Sequence, residues 1–387
     1  MMRRSGTTEF TPGLIPSSAP RELLKRFPLR KIDKPLLFAA LALGAFGILM
    51  IYSATRADAQ STYHLKRQLM HFIFGVVAML FGAGFDYRKM MPYSKILYGA
   101  TLFLLLAVFV FPPSGGARRW IPLGFFDMQP SEIAKVAVIL VLATFIADRR
   151  MEIGGNKEFL QALGIAAAPM FLIFMEPDLG MTMSVFVIVV VMLIVGGARV
   201  RQIAVLGVGI LGLTAAAIQL KLLKAYQLSR LLVFIKPDMD PMKSGYNLMQ
   251  SKIAIGSGQL IGKGLFHGTQ TNLKFIPAHH TDFIFSVVGE ELGFIGGVIL
   301  LALFGLLIWR AFKIALTARE PFGTMVAVGI VMMFFFQILV NVGMTIGIMP
   351  ITGITLPFMS YGGSSLIINF FCVGLLLNIG MRRFPQT

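Results

Sequence analysis

A single cysteine, Cys372, stands among 387 residues. No intramolecular disulfide is therefore available, and neither a cysteine metal site nor a thiol nucleophile is supported. Charge is equally scarce: Asp, Glu, Lys and Arg make up 14% of the chain, well short of the roughly 25% of a soluble domain. That shortage excludes a water-soluble globule of this size. The acidic residues number 18 against 35 basic ones, a formal net charge of +17. No basic cluster is interleaved with aromatics, so the charge points to anionic membrane lipid and topology, with no nucleic acid partner. The first thirty-odd residues lack the apolar core of a signal peptide and read as a basic tail that stays on the protein.

What the chain has in abundance is apolar sequence, 56% hydrophobic residues with a mean hydropathy of +0.77. Its runs are about 16 to 27 residues long, which suits helices crossing a hydrocarbon core of roughly 30 Å and is too long for barrel strands. The expected fold is an all-α integral membrane bundle. Spans are expected at 36–52, 68–85, 93–111, 131–147, 159–175, 179–197, 202–220, 283–309, 322–346 and 366–381. Domain organisation follows: a basic tail over 1–35, a transmembrane domain over 36–381, a long loop over 221–281 between the seventh and eighth spans, and a short tail over 382–387.

Orientation follows from where Lys and Arg collect in short loops. Arg3, Arg4, Arg21, Lys25, Arg26 and Arg30 crowd the amino-terminal tail, and alternate turns hold Arg88 with Lys89, Arg149 with Arg150, Arg199 with Arg201, and Arg310 with Lys313. These belong to the cytoplasmic side, with Arg382 and Arg383 beside them, so both termini are expected there. The opposite, extracytoplasmic face receives Arg118 and Arg119, the turn at Glu176 to Asp178, and the long loop. Within that loop, apolar residues over 228–235 and 246–255 and the glycines 256, 258, 262, 264 and 268 read as interfacial half-helices joined by glycine turns. A nucleotide-binding reading of the glycines fails because no strand precedes them.

The loop ends in His279-His280-Thr281-Asp282-Phe283-Ile284-Phe285, a carboxylate at the mouth of a membrane-spanning run, which is costly without a task. Several stretches around it are recognisable. SKIAIGSGQLIGKGLFHGTQ at 251–270, HTDFIFSVVGEELG at 280–293, GARRWIPLG at 116–124, QPSEIAK at 129–135, PDLG at 177–180 and LPFMSYGGSS at 356–365 closely resemble the SEDS family of bacterial membrane glycosyltransferases, in the family's order. The SKIAIGSG and HGTQ wording is more similar to the elongation-type, RodA-like members than to the division-type, FtsW-like ones. Glu176 stands where the RodA-like members usually have Gln, and Met181 where they usually have Thr.

The resemblance implies polymerisation of lipid II into glycan strands at the outer face of the bacterial cytoplasmic membrane, for cell elongation and rod shape. It implies the essential aspartate at Asp282, a class B penicillin-binding protein as transpeptidase partner, and membership of the elongation machinery. Such a transfer needs one base for the acceptor hydroxyl and charge neutralisation for the pyrophosphate leaving group. Glu290 and Glu291 lie about 12 to 14 Å further along a continuous helix, beyond the roughly 5 to 9.5 Å of paired carboxylate chemistry. A single-base inverting displacement follows, and one or both glutamates are expected to pair with a basic or hydroxyl group from another span.

For the pyrophosphate, the candidates are Arg118 and Arg119, then Lys263 and Lys274, together with helix starts at Ser131–Glu132 and at Ser364 with Ser365 after a glycine pair. Close helix packing explains that glycine pair equally well. Glu132 and Lys135 share a helix face and are expected to pair, either structurally or opposite Asp282. Asp178 reads as a helix cap with a chance of touching substrate. His280 is an orienting neighbour of Asp282. No metal site built on histidine is expected, since adjacent histidines in an extended segment point opposite ways. No cofactor is required; a loosely held divalent cation between Asp282 and pyrophosphate is compatible with the pattern. Two other classes fit the bundle: a lipid II transporter, or flippase, and a scaffold for another cell-wall enzyme. The carrier reading lacks an inverted repeat, and the scaffold reading leaves Asp282 without purpose.

Overall fold

The computed structural model describes residues 31–56, 61–113, 117–124, 126–220, 244–273, 275 and 280–383. Most of the basic tail, 221–243 of the long loop, Lys274, His279 and the last four residues lie outside the described residues. The helices are α1 (Lys34–Thr55), α2 (Ser61–Gly84), α3 (Met90–Ala107), α4 (Pro130–Asp148), α5 (Asn156–Met175), α6 (Leu179–Val195), α7 (Val200–Gln219), α8 (Ser244–Ser257), α9 (Thr269–Asn272), α10 (Ile284–Thr317), α11 (Pro321–Ile346) and α12 (Gly363–Met381).

Among the described residues, eight helices are long and apolar enough to cross a membrane, α3 being counted with its flanking turns as Tyr87–Val110. The other two expected spans coincide with the shorter apolar helices Leu179–Val195 and Val200–Gly212. The all-α expectation holds apart from one antiparallel bridge, β1 (Ile121–Pro122) against β2 (Asp127–Met128).

Local chemistry sets the helix starts. Asp33 caps α1 by accepting from the Leu36 N–H at 3.1 Å, with Pro35 in the first turn, and its carboxylate also holds Arg310 of α10 at 2.5 Å. Proline opens α4 and α11, where its missing N–H costs nothing. Helices α4 and α12 have 83% of their apolar stretches buried inside the protein, which makes them the interior pair around which the others pack. Small residues permit the closest contact: a Cβ added at Gly374 of α12 would lie 2.2 Å from the Met79 carbonyl oxygen of α2, so α2 and α12 touch backbone to backbone.

Helix α8, in the segment expected to hold a half-helix, packs against the bundle. Leu248, Ser251 and Ala254 form a buried stripe at i, i+3 spacing, and the Ser251 hydroxyl meets Ser286 of α10 at 2.6 Å and the Thr345 carbonyl of α11 at 2.8 Å. The helix is therefore docked on α10 and α11.

Helix α10 is broken at Gly293, whose φ of 64° and ψ of −159° no helix accommodates. The glycine-rich loop after α8 closes the break. Lys263 and Gly264 donate backbone N–H groups to the Glu290 and Glu291 carbonyls at 3.0 and 2.9 Å, while Phe294 and Ile295 donate to the Gln259 and Leu260 carbonyls at 2.9 and 3.1 Å. Both new helix ends are satisfied by one loop. Gly262 makes this approach possible, because a Cβ there would stand 2.1 Å from the Glu291 carbonyl oxygen.

Candidate active site

Asp282 lies in the turn that leads into α10, half-buried, and the carbonyls around it are all taken. Tyr361 donates its N–H to the His280 carbonyl at 2.9 Å. The Ser360 hydroxyl donates to the Thr281 carbonyl at 2.6 Å, and the Asn341 amide donates to the Asp282 carbonyl at 2.9 Å. Three successive peptides are thereby tied to α11 and to the segment between α11 and α12. The carboxylate itself lies against Gly353, where an added Cβ would stand 3.4 Å from Oδ2. Gly353 has a φ of 76°, so a side chain there would be strained as well as close.

The starts of α6 and α12 meet the segment 351–355, and the start of α4 is joined to both of them. Gln129, the residue before α4, receives its backbone partner from α12: its N–H donates to the Ser364 hydroxyl at 3.1 Å, and that hydroxyl donates to the Asp127 carbonyl at 2.9 Å. The Gln129 side chain reaches Asp178, the cap of α6, at 3.4 Å. A Cβ on Gly180 of α6 would lie 2.9 Å from the Thr352 carbonyl oxygen, and Ser365 of α12 meets the Thr355 hydroxyl at 3.2 Å. The N-cap residues of α4 and α12, Gln129 and Gly362, make no side-chain cap hydrogen bond. The positive dipole ends of α4 and α12 thus meet at the Gln129–Ser364 contact, with Ser364 and Ser365 buried there.

The two arginines part company. Arg119 donates to the Glu176 carbonyl at 3.0 Å and to the Pro177 carbonyl, and stands 3.5 Å from the Asp178 carboxylate, which in turn caps α6 through the Met181 N–H at 3.1 Å. Arg118 is exposed and donates to the Phe109 carbonyl at 2.7 Å. Within the same turn the Glu176 carboxyl is fully buried, and burial, reinforced by Asp178 and opposed by Arg119, pushes its pKa up to about 8. Its surroundings thus favour the protonated, neutral form.

His280 packs its ring 5.7 Å from Tyr361 and 5.5 Å from His64 of α2. Burial raises the Tyr361 hydroxyl above its ordinary pKa, so it stays a neutral group beside Asp282's turn. Glu132 and Lys135 pair at 2.8 Å, both fully buried, and among the described residues no hydrogen bond to another group reaches either charge. Among those residues no group of three or more His, Cys, Asp or Glu is arranged to hold a metal ion.

Lys263 is placed on Glu290, 2.7 Å away, with Thr269 at 2.7 Å from the ammonium; the Gln270 N–H also reaches that carboxylate at 2.9 Å. Glu291 accepts from the Ser53 hydroxyl of α1 at 2.6 Å and from the Phe266 N–H at 3.2 Å. Glu291 thus has the expected hydroxyl partner from another span, whereas Glu290 takes its cation from the loop, and both carboxylates are occupied in holding the loop to the broken helix. Lys274 lies outside the described residues.

The family model of the FtsW, RodA and SpoVE cell cycle proteins matches residues 34–384. The chain belongs to that family. It is 40% identical to the peptidoglycan glycosyltransferase MrdB of Escherichia coli K12 over 356 residues, covering 91% of this chain and 94% of that protein. It is 38% identical to the probable peptidoglycan glycosyltransferase FtsW of Trichlorobacter lovleyi over 377 residues, 94% and 98% of the two. A solved chain from a peptidoglycan synthase complex that coordinates polymerization and crosslinking superposes with a TM-score of 0.80 at 33% identity, covering 92% of this chain and 99% of that one. The chain is accordingly a multi-pass membrane enzyme, a peptidoglycan glycosyltransferase of the FtsW/RodA/SpoVE family.

For this family member, sequence reasoning brings forward Asp282, Asp178, Ser364 and Ser365, and the structure assembles all four around 351–355. It leaves out Gln129, Asn341 and Ser53. Each carried a weak signal, a lone amide or hydroxyl inside or beside an apolar run, where an unpartnered polar group is costly; only the fold reveals the partner. Glu132 and Lys135 sit one turn into α4 from Gln129, so the pair enters the site region through the same helix start.

Proposed function

We propose that this family member polymerises lipid II at the outer face of the cytoplasmic membrane, with Asp282 as the single general base. The acceptor hydroxyl gives its proton to the Asp282 carboxylate as its oxygen attacks the anomeric carbon of the donor sugar. The bond from that carbon to the undecaprenyl pyrophosphate oxygen breaks with inversion, and the electron pair leaves on the pyrophosphate. No proton donor to the leaving group is needed, because the departing pyrophosphate is already a stable anion. The starts of α4 and α12 receive its charge, with Arg118, exposed and in no ion pair among the described residues, as a supporting cation. Arg119 and Lys263 act one step back, holding the α6 cap and the loop. A divalent cation, if bound, would add to the same neutralisation.

The observation that carries this reading is the fixation of Asp282 by three carbonyl anchors, with its carboxylate against Gly353. It supports a group that must be held in one place relative to an anion. Further parts of the reading are the cytoplasmic placement of both termini and the outer placement of the 221–281 loop, on the distribution of basic turns. A class B penicillin-binding protein as partner and an elongation role rest on the RodA-like wording of the motifs.

The break in α10 and the buried Glu132–Lys135 pair also favour a second reading, a carrier for the lipid-linked precursor, since discontinuous helices with buried charges line transport paths. One assay separates the two. Purified protein, alone and with the transpeptidase, is given labelled lipid II, and wild type is compared with Asp282→Ala and Asp282→Asn. Loss of polymer in both variants by about 10²- to 10⁴-fold is expected for a general base. Polymer from Asp282→Asn at the normal rate would sink the assignment, and lipid movement across liposomes without polymer would favour the carrier.

A further inference from the structure

We propose that the cleft between α5 and α7 binds an anionic phospholipid from the leaflet on the Arg199 side of the membrane, its phosphate on Arg199 and Arg201 and an acyl chain laid between the two helices. The cleft has a volume of about 610 Å³, with Arg199, Arg201 and Asn156 at one end and Leu163, Val205 and Ile210 along its walls. It lies at the far ends of α4 and α6 from Gln129 and Asp178, well away from Asp282.

Its polar end is built rather than incidental. Gln202 donates from its amide to the Gly154 carbonyl at 3.1 Å and to Asn156 at 3.0 Å, and accepts from the Arg199 N–H at 2.8 Å. The Ile153 N–H donates to the Gly196 carbonyl at 3.2 Å. The two turns that precede α5 and α7 are thus one platform carrying both arginines. Among the described residues no acidic side chain pairs with Arg199 or Arg201, whereas Arg88, Arg310 and Arg382 on the same side are matched to Glu320, Asp33 and Asp86. Two uncompensated guanidinium groups call for an anion supplied from outside the chain.

The length of the cleft selects the occupant. From Arg199 to Ile210 along α7 is roughly 16 Å at the helical rise, about half of a hydrocarbon core of roughly 30 Å. A phospholipid of one leaflet has that reach, charged at one end and apolar for the rest, and the walls offer it nothing to hydrogen-bond. Val205 and Leu160 are exposed by 64% and 65%, so the apolar surface is open to the bilayer. At Gly209 an added Cβ meets nothing within 4 Å, so a larger side chain there would fill the cleft without disturbing the bundle.

The test uses the full chain in detergent, titrated with phosphatidylglycerol and separately with phosphatidylcholine and followed by native mass spectrometry, with thermal midpoints recorded to verify folding. Phosphatidylglycerol is expected to be retained in preference. The double substitution R199Q/R201Q should weaken that retention roughly 30-fold, the effect of two interfacial charges, and leave phosphatidylcholine unchanged. Gly209→Leu should reduce retention of both lipids. Undiminished preference for phosphatidylglycerol in R199Q/R201Q, undiminished retention in Gly209→Leu, or displacement of the lipid by inorganic phosphate alone would overturn the proposal.

Discussion

Asn341 of α11 holds Asp282 from behind: one amide nitrogen donates to the Asp282 carbonyl at 2.9 Å and to the Ile354 carbonyl at 2.7 Å. A single side chain therefore spaces the proposed base against the segment on which Gly353 and the helix starts are mounted. Asn341→Ala releases both carbonyls. Since a displacement of about 1 Å costs on the order of 10²-fold in a positioned reaction, polymer turnover should fall about 10- to 100-fold with lipid II binding nearly intact. Turnover and equilibrium binding measured on one preparation check this, and a binding loss as large as the rate loss would count against a positioning role.

Gln129 ties α4 to α12 through Ser364 and to α6 through Asp178. Gln129→Ala should loosen the anion-facing helix starts and raise the lipid II concentration for half-maximal rate several-fold. Gln129→Glu should do worse, because it sets a negative charge beside Asp178 and at the positive ends of two helices. A salt-dependent recovery of the Glu variant, seen in rate against ionic strength, would identify the charge as the cause.

Lys263 and Glu290 form a pair in which the glutamate is fully buried and the lysine partly exposed. Lys263→Met leaves a buried carboxylate without its cation, a change that costs a few kcal/mol in comparable pairs, whereas the double variant with Glu290→Gln should recover much of the lost stability. Thermal midpoints of the four proteins in one detergent give the coupling. Additive effects would show that the pair does not hold the loop to the break.

Glu176 supplies a pH dependence of definite sign. Its pKa is raised from 4.5 to about 8 in the folded protein, so folding favours the protonated form. The stabilisation is complete below the unfolded value, declines as pH rises, and is lost once pH passes about 8. Wild type should lose thermal midpoint between pH 5 and pH 9, and Glu176→Gln, which mimics the neutral acid, should flatten that decline. Parallel curves for the two proteins would remove Glu176 as the titrating group.

Much of this architecture was legible because bilayer thickness imposes it. Runs such as 322–346 and 366–381 have few alternatives to spanning helices, and a carboxylate at a helix mouth announces itself by its cost. Asp178 as a cap followed from its place after a proline and before an apolar run. The meeting of Gln129 with Asp178 and Ser364 was not legible, since it joins residues separated by dozens of positions and depends on how three helices end at one level. The break in α10 was hidden for a different reason. Gly293 sits among apolar residues like Gly296 and Gly297, and its positive φ comes from the 259–264 loop that fills the gap. The break falls after both glutamates, so 284–292 stays one helical piece.

A straight helix of 34 residues would be about 51 Å long, far more than a core of roughly 30 Å accepts without tilting. Gly293 divides it into an enclosed stub that carries the turn of Asp282 and a longer rod that meets the lipid. The 259–264 loop is hydrogen-bonded to both pieces and fixes the joint between them. The rod alone, 294–317, is about 36 Å long, so it spans the core by itself and the turn of Asp282 is mounted on the piece that does not have to.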